Sequence, residues 1–150
     1  MSTDGTPEDD TTALDRIGPD FSRLRRHAPT SRKDASRLLI LNVVADATGE
    51  MTVGALAGEL TTDQSVASRM VSDCISGGYL RRAVSQQDGR RTVLEVTPEG
   101  HALRVHFAAQ QRQIFESITA QWSDTERIQF ARLLRRYVED SATYRQAAKP

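Results

Sequence analysis

The sequence has little that would support secretion, membrane insertion or covalent cross-linking. It contains one cysteine, Cys74, which excludes a disulfide within the chain. The first twenty residues are acidic and polar instead of forming an apolar secretion signal. No apolar run approaches the roughly 18 residues that a membrane-spanning helix needs. These absences predict a soluble, cytoplasmic protein with no membrane partner.

Motifs for enzyme chemistry are absent as well. There is no recognisable nucleophile motif and no glycine-rich phosphate loop. His101 and His106 are five residues apart, which is not the i, i+4 spacing that points two imidazoles at one metal ion. We therefore expect neither enzyme activity nor a metal site, and no cofactor.

The chain also has no excess of positive or negative charge, because 20 Lys and Arg residues balance 20 Asp and Glu residues. Four acidic residues and no basic residue lie in residues 1–10, so the rest of the chain has a net charge of about +4. Segments 21–37 and 81–91 are rich in arginine, and each contains a single acid. Such patches are typical of a surface that contacts phosphate, although arginine-rich segments also merely solvate helix faces.

The spacing of the apolar residues predicts a mainly helical protein, and the length of the chain fits one domain. Residues 1–10 have almost nothing to bury and are predicted to be a disordered arm, and residues 147–150 a frayed tail. Apolar residues from Leu14 to Leu24 predict a helix reaching about His27, broken or kinked at Gly18-Pro19. A second helix, strongly apolar, is predicted to start after residues 29–31 and to end near Gly49.

Two further helices and a turn are predicted between residues 52 and 76. Thr52 is a suitable N-cap for a short helix. The next helix has two alternative caps, Thr61 in a capping box with Gln64, or Asp63. Its buried stripe is predicted to be Ala67, Met70, Val71 and Cys74. The residues left facing outward are Gln64, Ser65, Ser68, Arg69 and Ser72.

A hairpin and two long helices are predicted to follow. Gly77-Gly78 should end the preceding helix, since glycine accepts left-handed backbone geometry. Residues 79–84 and 92–96 are interpreted as strands joined by a polar loop that contains Asp88-Gly89. Thr97-Pro98-Glu99 starts a helix to about residue 120, and a capping box at residues 123–126 opens the last helix.

At these residues the chain resembles the MarR family of bacterial transcriptional regulators. The resemblance runs from about residue 51 to 100 and rests on motifs that stand ungapped. These are Leu56-Ala57 with Leu60, Ser68-Arg69-Met70-Val71, Gly78-Tyr79, Arg81-Arg82, Asp88-Gly89-Arg90 and Val96-Thr97-Pro98-Glu99-Gly100.

The resemblance implies a mainly α fold with a small β-wing. A winged helix-turn-helix lobe is expected at about residues 51–97, with dimerisation helices at 11–28 and 98–146, in a single domain over 11–146. It further implies a homodimer that binds a pseudo-palindromic operator in double-stranded DNA. Family members usually act as repressors, and a small phenolic or other aromatic effector often relieves the repression. The resemblance does not identify the residues that would bind such an effector.

The residues predicted to bind DNA share polar or cationic side chains on the fourth helix or the wing. They are Gln64, Ser65, Ser68, Arg69, Ser72, Arg90 and Arg91, with Asp88 and Gly89 shaping the wing. Arg69 is expected to take guanine or a phosphate, unless it pairs with Asp73 one turn away. Arg90 is expected at the minor groove, and Arg91 either contacts phosphate or is simply solvated.

The amide and hydroxyl side chains of the fourth helix have more than one possible role. Gln64, Ser65 and Ser68 either read bases or bind phosphate, and Ser68 has the further alternative of bonding its own helix backbone.

Several residues have competing interpretations. Cys74 is either a small core residue or a redox sensor, and its place on the buried stripe favours the core. Trp122 and Tyr137 either pack in the dimerisation helices or line an effector pocket. The alternative function is a winged-helix module that docks another protein and does not bind DNA specifically.

Overall fold

The secondary structure follows the predicted order of helices and one hairpin. A computed structural model describes residues 10–26 and 31–148, and within them the chain forms six helices and one two-stranded antiparallel sheet. The elements are α1 (Asp10–Arg26), α2 (Arg32–Asp46), α3 (Val53–Glu59), α4 (Gln64–Ser76), β1 (Leu80–Val84), β2 (Thr92–Val96), α5 (Pro98–Ile118) and α6 (Asp124–Ala147). The predicted fold class, mainly helical with a small β-wing, is confirmed.

The chain divides into two compact units, Met1–His101 and Ala102–Pro150. We call the part of the first unit from residue 31 to His101 the winged lobe. The acidic arm predicted for residues 1–10, apart from Asp10, and the last two residues of the predicted tail lie outside the described residues. No helix within 10–26 and 31–148 is long and apolar enough to cross a membrane.

Helix α1 passes through Pro19 without ending. Of the two predicted outcomes at Gly18-Pro19, a break or a kink, the break does not occur. Proline removes one backbone donor and crowds the turn before it, but its fixed φ is compatible with a helix, so the chain continues at the cost of one hydrogen bond. The predicted end at His27 lies outside the described residues.

Side-chain caps set most of the helix starts. Ser31 and Thr52 each accept a hydrogen bond from the third residue of the helix that follows, at 3.1 Å. Asp63 occupies the N-cap position of α4, whereas Thr61 has a φ of 51° and lies in the turn. The alternative with Asp63 is thus correct for position, although its side chain makes no capping hydrogen bond. Helix α2 ends at Asp46, earlier than predicted, because Ala47 is already extended.

The core of the winged lobe is built from one face of each helix and of the hairpin. Ala67, Val71 and Cys74 of α4 are buried as predicted, and Met70 is half-buried at the edge of the stripe. The other buried apolar residues of the lobe are Ile40, Leu41, Val44, Met51, Leu56, Ala57, Leu80, Val93 and Leu94. Burial of this stripe fixes which side of α4 faces solvent.

Strand β2 attaches the hairpin to the rest of the winged lobe. Strand β1 starts at Leu80, one residue later than predicted, and Leu80 pairs with Val96. The amide of Leu94 donates to the carbonyl of Met51 at 2.7 Å, which attaches β2 to the segment between α2 and α3. The hairpin is therefore an integral part of the lobe.

Two glycines permit the tight junction between α4, the hairpin and α5. Gly78 has a φ of 78°, the left-handed geometry expected at this helix end. Its carbonyl accepts a hydrogen bond of 2.6 Å from the hydroxyl of Thr97, which also caps α5 by accepting from the amide of Gly100 at 3.0 Å. A Cβ at Gly100 would collide with the backbone carbonyl of Tyr79 and with the side chain of Val96.

The second unit contains a capping box and an aromatic cluster. Ser123 and Glu126 form the predicted capping box at the start of α6. Phe130 stacks on Phe115 with ring centroids 5.8 Å apart and meets Trp122 edge-on at 5.6 Å. Trp122 thus packs within this helical unit and remains 40% exposed.

We predict that Gly100→Ala destabilises the protein by about 1–3 kcal/mol, the usual cost of forcing a methyl group into a packed site. The neighbouring atom is backbone carbonyl, which cannot rotate away. Gly58→Ala is the matched control, because nothing lies within 4 Å of a Cβ at that helical position and alanine there is neutral or stabilising by up to about 1 kcal/mol. Urea unfolding measures both, and equal midpoints would refute the close approach at Gly100.

Candidate nucleic-acid interface

Helix α4 presents a polar face directed away from the lobe core. Ser65, Arg69 and Ser72 recur at helical spacing, and all three are exposed. At 3.6 residues per turn they lie roughly opposite the buried Ala67 and Val71. We call these three residues the outer face of α4.

Arg69 does not pair with Asp73, the alternative considered from the sequence. The carboxylate of Asp73 accepts from Nε of Arg37 at 2.7 Å and lies 3.8 Å from Nζ of Lys33. The hydrogen bond from Arg37 lowers the pKa of Asp73 and raises that of Arg37. Within the described residues Arg69 has no ion pair, so its guanidinium is available to a ligand.

Arg37 also connects the end of α4 to the hairpin. Its guanidinium carbon lies 5.4 Å from the ring centroid of Tyr79, within the range of a cation–π interaction. The same side chain is only 18% exposed and bonds Asp73 on α4. A single residue of α2 therefore contacts both α4 and the residue that precedes β1.

Gln64 and Ser68 occupy a flank of α4 and face the hairpin. They line an open cleft of about 480 Å³ together with Arg82 and Arg91. The remaining lining residues are Thr52, Val53, Gly54, Thr92 and Leu94. We call this feature the helix–wing cleft. Ser68 has no hydrogen bond to its own helix backbone among the described residues, so its hydroxyl is open to the cleft.

Arg82 was not among the predicted site residues. Its neighbour Arg81 pairs in register with Glu95 on β2, and the two side chains form an ion pair of 2.7 Å. Because successive side chains of a strand point to opposite faces, Arg82 projects to the other side of the hairpin, where the cleft lies. The alternation of side chains along residues 80–84 was the signal that could have separated the two arginines.

The loop between the strands is held by buried polar groups. The hydroxyl of Ser85 donates to a carboxylate oxygen of Glu50 at 2.5 Å and accepts from the amides of Gln87 and Asp88. The amide of Gln86 donates to the other oxygen of Glu50 at 2.7 Å. Neither Glu50 nor Ser85 was predicted, since nothing in the sequence links positions 35 residues apart.

Asp88 and Gly89 lie at the tip of this loop. A side-chain oxygen of Asp88 accepts from the amide of Arg90 at 3.1 Å, so Asp88 organises the loop. Gly89 has no positive φ, which shows that the connection is not a two-residue turn of the primed type. Arg90 and Arg91 are both exposed, and only Arg91 lines the helix–wing cleft.

Cys74 is a poor candidate for a redox sensor in this structure. It is 1% exposed, and burial raises the pKa of its thiol to about 11. Reactive cysteines need access and a lowered pKa. The core interpretation of Cys74 therefore agrees with its surroundings.

Comparison with known proteins supports the winged-helix fold of the lobe. Residues 33–91 match the family model described as "MarR family", which covers α2 to the end of the wing loop. The chain has a winged-helix fold, and over residues 33–91 it is similar to MarR-family proteins. No curated protein matches it.

Solved structures share the fold at low sequence identity. The structure of MarR is 18% identical, with a TM-score of 0.64 and coverage of 98% of both chains. A transcriptional regulator of Pseudomonas aeruginosa is 20% identical, with a TM-score of 0.64, over 86% of this chain and 91% of that one. MepR of S. aureus bound to ethidium bromide is 17% identical, with a TM-score of 0.55, over 93% and 99%.

We predict that the wing loosens in acid through Glu50. Hydrogen bonds from Ser85 and from the amide of Gln86 lower the pKa of this carboxyl. Their stabilisation is present above the pKa of Glu50 in the unfolded chain and is lost as the pH falls through the lower folded value. Amide exchange at Gln86, measured by NMR from pH 6 to pH 3 and corrected for intrinsic rates, should accelerate in that range.

The control for this prediction is Glu50→Gln. The neutral side chain of the variant cannot titrate, so the acid-dependent step in the exchange of Gln86 should disappear. A step of equal size in this variant would assign the titration to another carboxyl, such as Asp73, and would contradict the role of Glu50.

Proposed function

We propose that this protein is a transcriptional regulator that binds double-stranded DNA as a cytoplasmic homodimer, acting as a repressor at a pseudo-palindromic operator. The observation that carries the proposal is the outer face of α4, exposed beside a cleft lined by arginines. An α-helix fits the major groove of DNA, and guanidinium and hydroxyl groups bond base edges there. The proposed function includes no catalytic activity.

The roles of the predicted residues follow from their positions. Arg69, with Ser65 and Ser72, is placed to reach bases in the major groove. Arg90 at the wing tip is placed to reach the neighbouring minor groove or its phosphates, while Asp88 holds the loop. A helix turned toward solvent and an arginine-bearing wing on one lobe support DNA as the partner over another protein.

Dimerisation is supported by exposed apolar side chains on α1 and α6. In α1, Leu14, Ile17, Phe21 and Leu24 share one side and are 37–68% exposed. In α6 the exposed apolar residues are Ile128, Phe130, Leu133, Leu134, Tyr137, Val138 and Tyr144. Apolar surface that is exposed on a helix marks an interaction site. A second copy of the chain would cover it and would present two lobes to the two operator half-sites.

Regulation by a small aromatic effector is the last part of the proposal and rests on the family. The structure of MepR with ethidium bromide shows an aromatic cation on a protein of this fold. An effector that binds better to dimers whose lobes are wrongly spaced would lower operator affinity by its differential affinity for the two states. Tyr137 lies on the exposed face of α6 and is 54% exposed.

We predict that Arg69→Ala and Arg91→Ala weaken DNA binding in different ways. An operator is first selected from a library of random duplexes with the full-length protein. Loss of Arg69 should reduce affinity for that operator by about 1–3 kcal/mol and relax preference at one base pair. Loss of Arg91 should weaken operator and random duplexes alike and flatten the salt dependence.

Fluorescence anisotropy at several salt concentrations gives both quantities. Failure of the wild-type protein to bind any duplex at low salt would contradict DNA binding and favour a winged-helix module that docks another protein. Unchanged operator affinity in both variants would remove these residues from the interface.

We also predict that Leu134→Glu disrupts the dimer. The substitution places a charge on the exposed apolar face of α6, where a second copy would have to bury it. Gln146→Glu adds the same charge to the opposite side of the same helix and is the matched control. Sedimentation equilibrium should give twice the 16.6 kDa chain mass for the wild type and the control, and a lower average mass for Leu134→Glu. A monomeric wild type would contradict the dimer.

A further inference from the structure

The helix–wing cleft is lined by hydrogen-bond donors and cations. Arg82 from β1 and Arg91 beside β2 supply two guanidinium groups, and the opposite wall supplies the amide of Gln64 and the hydroxyl of Ser68. No carboxylate is among its lining residues. Arg91 helps to lower the pKa of Glu50, whose carboxylate accepts hydrogen bonds from the hydroxyl of Ser85 and from the amide of Gln86.

Both cleft arginines are free to take an external anion. Arg82 and Arg91 are exposed, and neither forms an ion pair within the part of the chain that the structure describes. This separates Arg82 from Arg81, which has the same charge and strand but is paired with Glu95. Guanidinium groups bind phosphate oxygens with paired hydrogen bonds, and serine and glutamine side chains add further donors.

The cleft and the outer face of α4 point in different directions. Gln64 and Ser68 are one turn apart on the flank next to the hairpin, whereas Arg69 and Ser65 lie about 100° further around the helix. Base edges carry no net charge and combine donors with acceptors, while a phosphodiester is anionic and accepts only. The chemistry of the cleft matches the phosphodiester.

We propose that the helix–wing cleft is a binding site for the DNA backbone, with Arg82 and Arg91 clamping phosphate against Gln64 and Ser68. This inference rests on the proposed DNA-binding function and deepens it. It leaves base discrimination to Ser65, Arg69 and Ser72. It also resolves the open choice for Gln64 and Ser68 in favour of phosphate, and it adds Arg82 to the interface.

The test compares Arg82→Gln with Arg81→Gln, two adjacent substitutions that remove the same charge. Binding of a labelled 30-base-pair duplex of random sequence is followed by anisotropy from 50 to 300 mM KCl, using the full-length protein. Loss of a phosphate contact should make the slope of log K against log salt shallower by about 0.9 for each engaged lobe. We expect this for Arg82→Gln but not for Arg81→Gln.

Arg82→Lys separates charge from fold, because a lysine at this exposed position keeps the cation and should retain the wild-type slope. Thermal unfolding of all three variants shows whether the lobe is intact. Equal slopes for Arg82→Gln and Arg81→Gln would overturn the cleft assignment while leaving DNA binding in place. If the wild-type protein binds no duplex, the proposed function fails together with the inference.

A second measurement tests the assignment of Gln64. Gln64→Ala should weaken binding to the selected operator and to random duplex by the same factor, because a backbone contact carries no sequence information. A loss confined to the operator would show that Gln64 reads a base and would contradict the division between cleft and outer face.

Discussion

Burial of one stripe of α4 determines which residues of this helix the winged lobe presents to solvent. Ala67 and Val71 are completely buried, and Cys74 almost so. Rotating the helix by one residue would expose Val71, at a cost of about 1.5–3 kcal/mol for a side chain of this kind, and would move the charged Arg69 toward the core, which costs more still. The packing of three small side chains thus directs Ser65, Arg69 and Ser72 outward, with no contact needed to hold them there.

The wing depends on a different kind of constraint, because its polar loop has few apolar side chains to bury. Glu50 and the buried Ser85 supply hydrogen bonds to the loop backbone, and the bond from the amide of Leu94 to Met51 ties β2 to the same segment. Arg37 joins α4 and Tyr79 on the far side. Residues from α2 and the segment after it therefore hold both walls of the helix–wing cleft, so the cleft is formed before any ligand is present.

Local sequence signals predicted the helices, their caps and the hairpin, because each depends on neighbours within a few residues. Ser31, Thr52 and Ser123 cap where expected, and the stripe on α4 followed from periodicity alone. Contacts between distant segments could not be predicted in this way. The pairing of Asp73 with Arg37 replaced a plausible local pairing with Arg69, and the bond from Ser85 to Glu50 has no local signature. Arg82 was missed because two adjacent arginines look alike until the register with Glu95 separates them.

The central claim is that the outer face of α4 and the wing loop bind duplex DNA. NMR chemical-shift mapping on the full-length protein during titration with the selected operator tests it most directly. The account predicts that the largest shifts occur at the amides of Ser65, Arg69 and Ser72 and of the loop at residues 85–91, with Ala67 and Val71 little affected. Shifts confined to other surfaces, with these amides unchanged, would contradict it.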